Sequence, residues 1–187
     1  MFLITAMLIG TSKNYTMEHA VRIQKMAFLV DKIMAQPELD WEFDFGPDKF
    51  GPMSENVESS VDALVEWGYA ISAGKDRKGA KLTEDGMDLV RTAAGKYPGV
   101  YNLCNYLNSR MSILNNRELI KVVYRLYPED TVNSVIRDEM VSTSKVDSFS
   151  IDLSHSGAFE VRSENGITFS VTVKDGVVRI DLGEAYV

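Results

Sequence analysis

Four basic residues lie close together in the middle of the chain, where they could grip phosphate. They are Lys75, Arg77, Lys78 and Lys81, and Asp76 is the one acidic residue among them. Lys and Arg side chains bind the phosphate backbone of DNA through their charge, without reading its sequence. The cluster therefore predicts a contact with nucleic acid, and the alternative is a solvated hairpin tip, where Lys, Asp and Gly are common.

A stripe of carboxylates precedes these basic residues and has the opposite chemistry. The helix predicted over residues 54–67 faces outwards at Glu55, Asp62 and Glu66. Phosphate groups repel carboxylates, and base edges are read mostly by Arg, Lys, Asn and Gln. The stripe therefore opposes ordinary major-groove reading and favours a protein partner as the alternative.

Acidic residues also alternate in a segment that resembles a calcium-binding loop. They are Asp40, Glu42, Asp44 and Asp48. An EF-hand loop needs glycine at its sixth position and a bidentate Glu at its twelfth. Here Gly46 stands one place late and Gly51 occupies the place of the Glu, so the alternation predicts a charged edge strand, with a basic partner as the other option.

Residues suited to catalysis or to metal binding are sparse. The two histidines, His19 and His155, have no spacing that would form a zinc site with Cys104. The run Ser154-His155-Ser156 lacks the Gly-x-Ser-x-Gly elbow of a serine nucleophile, and no phosphate-binding glycine loop occurs. We therefore predict no catalytic residue, no metal and no cofactor.

Composition places the chain among ordinary globular proteins. Its 187 residues are 45% hydrophobic and carry a net charge of −7, with a single cysteine and hence no internal disulfide. The apolar start, residues 1–10, is about half the ~20 residues that a transmembrane helix needs, so it predicts a buried helix. These features predict a cytoplasmic protein with no membrane partner.

The spacing of apolar residues predicts the elements that position these groups. Helices are expected over residues 2–10 and 16–34, with Thr16 as the cap of the second, and a half-buried strand over Asp40 to Phe45. Two Phe-Gly-Pro triplets, at 45–47 and 50–52, predict turns. The helix that Ser54 caps is followed by a hairpin of strands 69–72 and 81–83, here named the wing, and by a helix over 84–94. Further helices are expected near 100–114, 116–127 and 129–142.

The last part of the chain changes to a period of two. Four strands are predicted after Asp147, one of them at Phe149, Ile151 and Leu153, with one apolar face. The predicted fold class is therefore α+β: an N-terminal winged helix over 1–97, a helical extension over 98–145 and a four-stranded antiparallel β-meander over 146–187. The apolar face needs a cover, either the helices at 100–142 or a second copy, so we expect a homodimer.

Several short motifs occur in an order that resembles a known family. They are Arg22-Ile23-Gln24-Lys25-Met26 with Phe28-Leu29, Phe50-Gly51-Pro52-Met53-Ser54, Leu64-Val65-Glu66-Trp67-Gly68-Tyr69, Leu82-Thr83-Glu84-Asp85-Gly86, and Tyr124-Arg125-Leu126-Tyr127-Pro128-Glu129 with Asn133-Ser134. Over about residues 1–140 the chain resembles the prokaryotic winged-helix family typified by YwgA. The resemblance implies an architecture and a regulator-like role, and it assigns no catalytic residues.

Two functions follow from these observations as hypotheses. The first is a non-enzymatic, regulator-like protein that contacts DNA through Lys75, Arg77, Lys78 and Lys81. The second is a protein-interaction module on a winged-helix scaffold that does not read DNA and binds its partner through Glu55, Asp62 and Glu66. An enzyme is the third and least supported class.

Overall fold

The structure is a computed structural model that describes residues 1–34, 43–142, 157–162, 168–174 and 177–182. Residues Met1–Arg137 form one unit and Asp138–Val187 a second. The helices are α1 (Phe2–Gly10), α2 (Ala20–Met34), α3 (Glu55–Glu66), α4 (Glu84–Lys96), α5 (Pro98–Met111), α6 (Asn116–Leu126) and α7 (Arg137–Ser142), with 3₁₀ turns at Lys13–Tyr15 and Pro128–Thr131. The strands are β1 (Thr16–Met17), β2 (Gly46–Asp48), β3 (Gly51–Met53), β4 (Ala70–Ala73), β5 (Gly79–Leu82), β6 (Gly157–Arg162), β7 (Thr168–Lys174) and β8 (Val177–Leu182).

Helix α1 forms the centre of the first unit. Its residues Ile4, Met7, Leu8 and Ile9 have no exposed surface, and α2, α3, α4 and α5 all pack against it. A helix that is apolar around its whole circumference is stable only where neighbours cover every side. The prediction that the apolar N-terminal segment is a buried helix is confirmed.

Side-chain caps begin two of the helices at the predicted residues. The Ser54 hydroxyl accepts a hydrogen bond from the Val57 amide at 3.2 Å, and the Thr83 hydroxyl accepts one from the Gly86 amide at 3.2 Å. Each bond satisfies a backbone donor that the first helical turn leaves without a partner. The predicted helices after Ser54 and Thr83 are therefore confirmed.

The wing is larger than the sequence predicted. Strands β4 and β5 form the expected hairpin, and β1 adds to it as a third antiparallel strand in the order β1-β5-β4. Thr16 was predicted to cap a helix over 16–34, but it lies in β1 opposite Lys81, and α2 begins only at Ala20. The extended backbone of Thr16 lets its segment pair with the wing, and those long-range bonds outweigh its capping tendency.

The segment between α2 and α3 reverses the predicted assignment of strand and turn. Part of the predicted strand, residues 40–42, lies outside the described residues, and Phe43 to Phe45 are not in a strand. The Gly-Pro pairs of the two Phe-Gly-Pro triplets, predicted as turns, lie in strands β2 and β3, with Pro47 opposite Pro52, and Phe50 lies in the turn between the strands. Proline lacks an amide donor, but a short ribbon with no further strand beside it tolerates proline. We name β2 and β3, residues 46–53, the proline hairpin.

The predicted continuous helix over 129–142 is also wrong. It divides into the 3₁₀ turn at Pro128–Thr131 and helix α7, and the residues between them are not helical. Here the Ser134 hydroxyl donates to the Lys49 carbonyl at 3.0 Å, and the Val135 amide donates to the same carbonyl at 2.9 Å. Because this amide bonds to the proline hairpin, it is not used to continue a helix.

The predicted fold class is wrong. The chain is mainly helical, and the first unit has only small sheets of three and two strands, so helices rather than sheet build its core. No four-stranded meander is present in the described C-terminal residues, which form a three-stranded antiparallel sheet in the order β6-β7-β8. The predicted strand at Phe149, Ile151 and Leu153 lies outside the described residues. The homodimer, which was inferred from that meander, stays a prediction.

Candidate functional site

A cleft of about 990 Å³ lies in the first unit, and we consider it as a functional site. Helices α2 and α3, the proline hairpin, the wing and the first turn of α6 all contribute residues to it. This volume is at the upper end of the range of ~300–1,000 Å³ that is typical of ligand pockets. The cleft is therefore large enough to take several side chains of a partner.

Helix α3 supplies both an apolar row and an acidic row to the cleft. The apolar row is Val57, Val61 and Val65, and the acidic row is Glu58, Asp62 and Glu66. Within each row the residues are four apart, so both rows follow the helix axis over about 12 Å. All three carboxylate residues are exposed, while Val57 and Val61 are buried at the base. The cleft thus has an apolar floor beside an acidic wall.

The predicted nucleic-acid contacts divide between the cleft and the outer surface. Arg77 and Lys78 line the cleft at the tip of the wing, whereas Lys75 and Lys81 do not. All four are exposed, and none takes part in an ion pair within the described part of the chain. The wing therefore presents its cations to solvent beside carboxylates of α3 that line the same cleft.

The predicted partner-binding residues are also divided. Asp62 and Glu66 line the cleft, but Glu55 is exposed at the start of α3 and outside it. Sequence reasoning missed Glu58, which occupies the fourth position before Asp62 on the cleft side. The signal was the spacing of four residues between Glu58, Asp62 and Glu66, which places them in one row along a helix.

Two buried polar side chains of α2 hold the proline hairpin and Ser54, the residue that follows it. The Gln24 amide donates to the Ser54 carbonyl at 2.9 Å and accepts from the Ser54 amide at 3.0 Å. The Lys25 amine donates to the Pro52 carbonyl at 2.7 Å. Ser54 also donates its hydroxyl to the Phe43 carbonyl. These bonds fix the start of α3, and with it the acidic wall, against α2.

A second set of contacts holds the hairpin on the other side. Gly51 has a positive φ of 82°, and a Cβ built there would lie 2.6 Å from the Tyr124 ring. The Tyr124 hydroxyl hydrogen bonds with the Ser134 hydroxyl, which in turn donates to the Lys49 carbonyl. Gly51, Tyr124 and Ser134, which belong to the short motifs of the sequence analysis, thus lie together and hold the proline hairpin at the cleft.

Lys25 is a buried lysine of the cleft whose pKa is lowered. Only 3% of its surface is exposed. Burial lowers the pKa of its amine from 10.5 to about 8, because the charged form loses its hydration, and the Asp48 carboxylate opposes part of that shift. The signal in the sequence was a lysine on a helix that is otherwise apolar on most sides.

We expect Lys25 to make the stability of the protein depend on pH. Above about pH 8 the amine is neutral in the folded state but still protonated in the unfolded chain, whose pKa is 10.5. The free energy of unfolding should therefore rise with pH across this interval. Relative to Lys25→Met, the wild-type value should gain about 1 kcal/mol between about pH 7 and about pH 9, as measured by urea unfolding. A difference that stays constant or falls would contradict the assignment.

Other reactive groups do not assemble into a centre. No group of three or more His, Cys, Asp or Glu residues able to hold a metal occurs among the described residues. Cys104 is fully buried, and burial raises the pKa of its thiol to about 12. His19 lines the cleft, whereas the Ser154-His155-Ser156 run lies outside the described residues. Across the ranges that the structure describes, no helix is long and apolar enough to cross a membrane.

Comparison with protein-family models, with curated protein sequences and with solved structures gives no match to this chain. The resemblance to the family typified by YwgA therefore stays a prediction.

Proposed function

We propose that this chain is a non-enzymatic, regulator-like protein-interaction module, built on a winged-helix scaffold, that binds its partner in the cleft beside α3. The observation that carries the proposal is the acidic row Glu58, Asp62 and Glu66, which lines the cleft along the exposed face of α3. A helix that enters the major groove would have to bring these carboxylates against phosphates. A protein surface with cations and apolar side chains has no such penalty.

The arrangement of strands supports the scaffold. Strand β1, between α1 and α2, pairs with the second strand of the wing, and α3 directly precedes the wing. In a winged-helix protein, the helix directly before the wing is the recognition helix, and α3 has that position in the chain order. On such a scaffold, the acidic face of α3 favours a protein partner over DNA at this surface.

Selection from a displayed library of random peptides tests this function. The wild-type protein serves as bait, and Asp62→Lys/Glu66→Lys serves as counter-bait. We expect enriched peptides that bind the wild type and bind the variant at least about ten-fold more weakly in titrations with purified components. A matched control, Glu55→Lys, changes charge on the same helix outside the cleft and should bind like the wild type. If every enriched peptide binds all three proteins equally, the cleft is not the interface.

A second candidate function is contact with DNA through the wing. It is favoured by one observation, the exposure of Lys75, Arg77, Lys78 and Lys81 without ion pairs in the described ranges. Such a contact would be driven by phosphate charge and would weaken steeply with salt. Reversal of these charges separates it from the first function, since the acidic row would remain intact.

A further inference from the structure

We infer that the partner segment that fills the cleft is an amphipathic α-helix with lysine or arginine beside its apolar face. The inference rests on the proposed function and adds the chemical class of the ligand. Its geometric basis is that the acidic row Glu58, Asp62 and Glu66 is exposed along α3, beside the half-buried Val65, while Val57 and Val61 of the apolar row are buried. A ligand that pairs with the acidic row must repeat a cation once per helical turn, about every 5.4 Å, as an α-helix does, and its apolar face would contact Val65 and the rim of the cleft.

The rim of the cleft supplies an apolar contact beyond α3. Phe50, at the turn of the proline hairpin, is 51% exposed and lines the cleft, and Met53 and Val65 are half-buried there. A large aromatic side chain exposed beside a concave apolar surface is typical of an interface anchor. It would cover the apolar face of a docked helix on the side away from the buried base of the cleft.

Charge complementarity favours a cationic helix over other occupants. Asp48 and Asp76 join the three carboxylates of α3 in lining the cleft, whose cations are Lys25, Arg77, Lys78 and Arg117. The whole chain carries a net charge of −7, which attracts a cationic partner at long range and repels DNA. Arg77 and Lys78 are cations at the wing end, and they set a limit on how far a basic helix extends in that direction.

The probe for this inference is a synthetic amphipathic peptide of about 18 residues, with leucines on one face and lysines on its flanks, labelled with fluorescein. A matched peptide carries glutamine in place of every lysine. We expect the lysine peptide to bind the wild-type protein and to become helical on binding, by circular dichroism. The glutamine peptide should bind at least about ten-fold more weakly. Equal binding of the two peptides would overturn the inference.

Protein variants locate the binding. Asp62→Lys/Glu66→Lys should weaken the lysine peptide by about ten-fold or more, and Phe50→Ala should weaken it by a similar factor. The control Glu55→Lys/Asp85→Lys changes the net charge equally, but both residues are exposed outside the cleft. The lysine peptide should bind this control within about two-fold of its affinity for the wild-type protein. If the control loses as much affinity as the cleft variant, the peptide is attracted by net charge alone, and the cleft is not the binding site.

Two further outcomes separate the alternatives. Arg77→Glu/Lys78→Glu should leave the affinity for the lysine peptide unchanged or increase it, because two repelling charges are removed; a loss of binding would overturn the inference. Light scattering compares the oligomeric state of the free wild-type protein and of Asp62→Lys/Glu66→Lys. A dimer that the variant abolishes would identify a second copy of the chain as the occupant of the cleft, and we expect none. If the displayed library yields cleft-dependent peptides that are neither basic nor helical, the proposed function stands and the helix inference fails.

Discussion

Replacement of Gly51 by alanine is expected to lower the free energy of unfolding by about 3 kcal/mol. Two costs combine at this residue. Its φ of 82° belongs to the left-handed region, which residues with a Cβ rarely adopt, and the added carbon would lie 2.6 Å from the Tyr124 ring. Because Tyr124 is buried and its hydroxyl bonds with Ser134, the ring has little room to move. Urea unfolding of the purified proteins measures the change.

The same hairpin offers a matched control. An alanine Cβ at Gly46 would meet nothing within 4 Å in the described structure, and its backbone is not in the left-handed region. Gly46→Ala should therefore change the free energy of unfolding by less than about 0.5 kcal/mol. If the two alanine variants were equally stable, the close packing of the hairpin against Tyr124 would be wrong.

Gln24→Met is expected to cost about 2 kcal/mol. The methionine keeps the length and volume of the side chain but removes both hydrogen bonds to Ser54. The Ser54 amide then has no acceptor in a buried position, whereas its carbonyl keeps the bond from the Glu58 amide at 3.3 Å. The loss should loosen the start of α3 and so weaken any ligand of the cleft as well as the fold.

Thermal and urea unfolding test this prediction, with Asn105→Met as the control. Asn105 is an exposed amide on α5, so its loss should leave the free energy of unfolding within about 0.5 kcal/mol of the wild type. A Gln24→Met protein as stable as the Asn105→Met protein would contradict the role of Gln24 as a fastener.

Capping residues in the sequence correctly predicted where two helices begin. Ser54 and Thr83 are followed by periodic apolar positions, and both cap helices as expected. Thr16 has a similar side chain but joins β1, because a strand 65 residues later, at Lys81, is available for pairing. Capping tendency amounts to about 1 kcal/mol, and distant backbone partners can outweigh it.

The proline hairpin shows the same limit more strongly. Phe-Gly-Pro is a turn signal, yet β2 and β3 pair because Gln24, Lys25 and Tyr124 contact the segment from two sides. Those contacts join residues up to 73 positions apart, between Gly51 and Tyr124, and periodicity in a short window does not detect them. The cleft was missed for the same reason, although two of the acidic residues that line it, Asp62 and Glu66, were identified from their place on the helix.

The proposed function depends on the cleft beside α3. Buried polar side chains of α2 hold the proline hairpin and the start of α3, and α3 then presents an apolar row and an acidic row to the cleft. Among the motif residues, Gln24, Lys25 and Gly51 hold this surface in place, and under the proposed function the exposed carboxylates select the partner. The proposed function requires that the cleft binds protein rather than nucleic acid.

Fluorescence anisotropy of mixed duplex DNA fragments, titrated with the wild-type protein at salt concentrations from about 50 to about 200 mM, tests that claim most directly. We expect no salt-sensitive binding of DNA even at the lowest salt, because the carboxylates of α3 and the net charge of −7 repel phosphate. Binding that falls steeply with salt and disappears in Lys75→Glu/Arg77→Glu/Lys78→Glu/Lys81→Glu would contradict the proposed function and assign the wing to DNA.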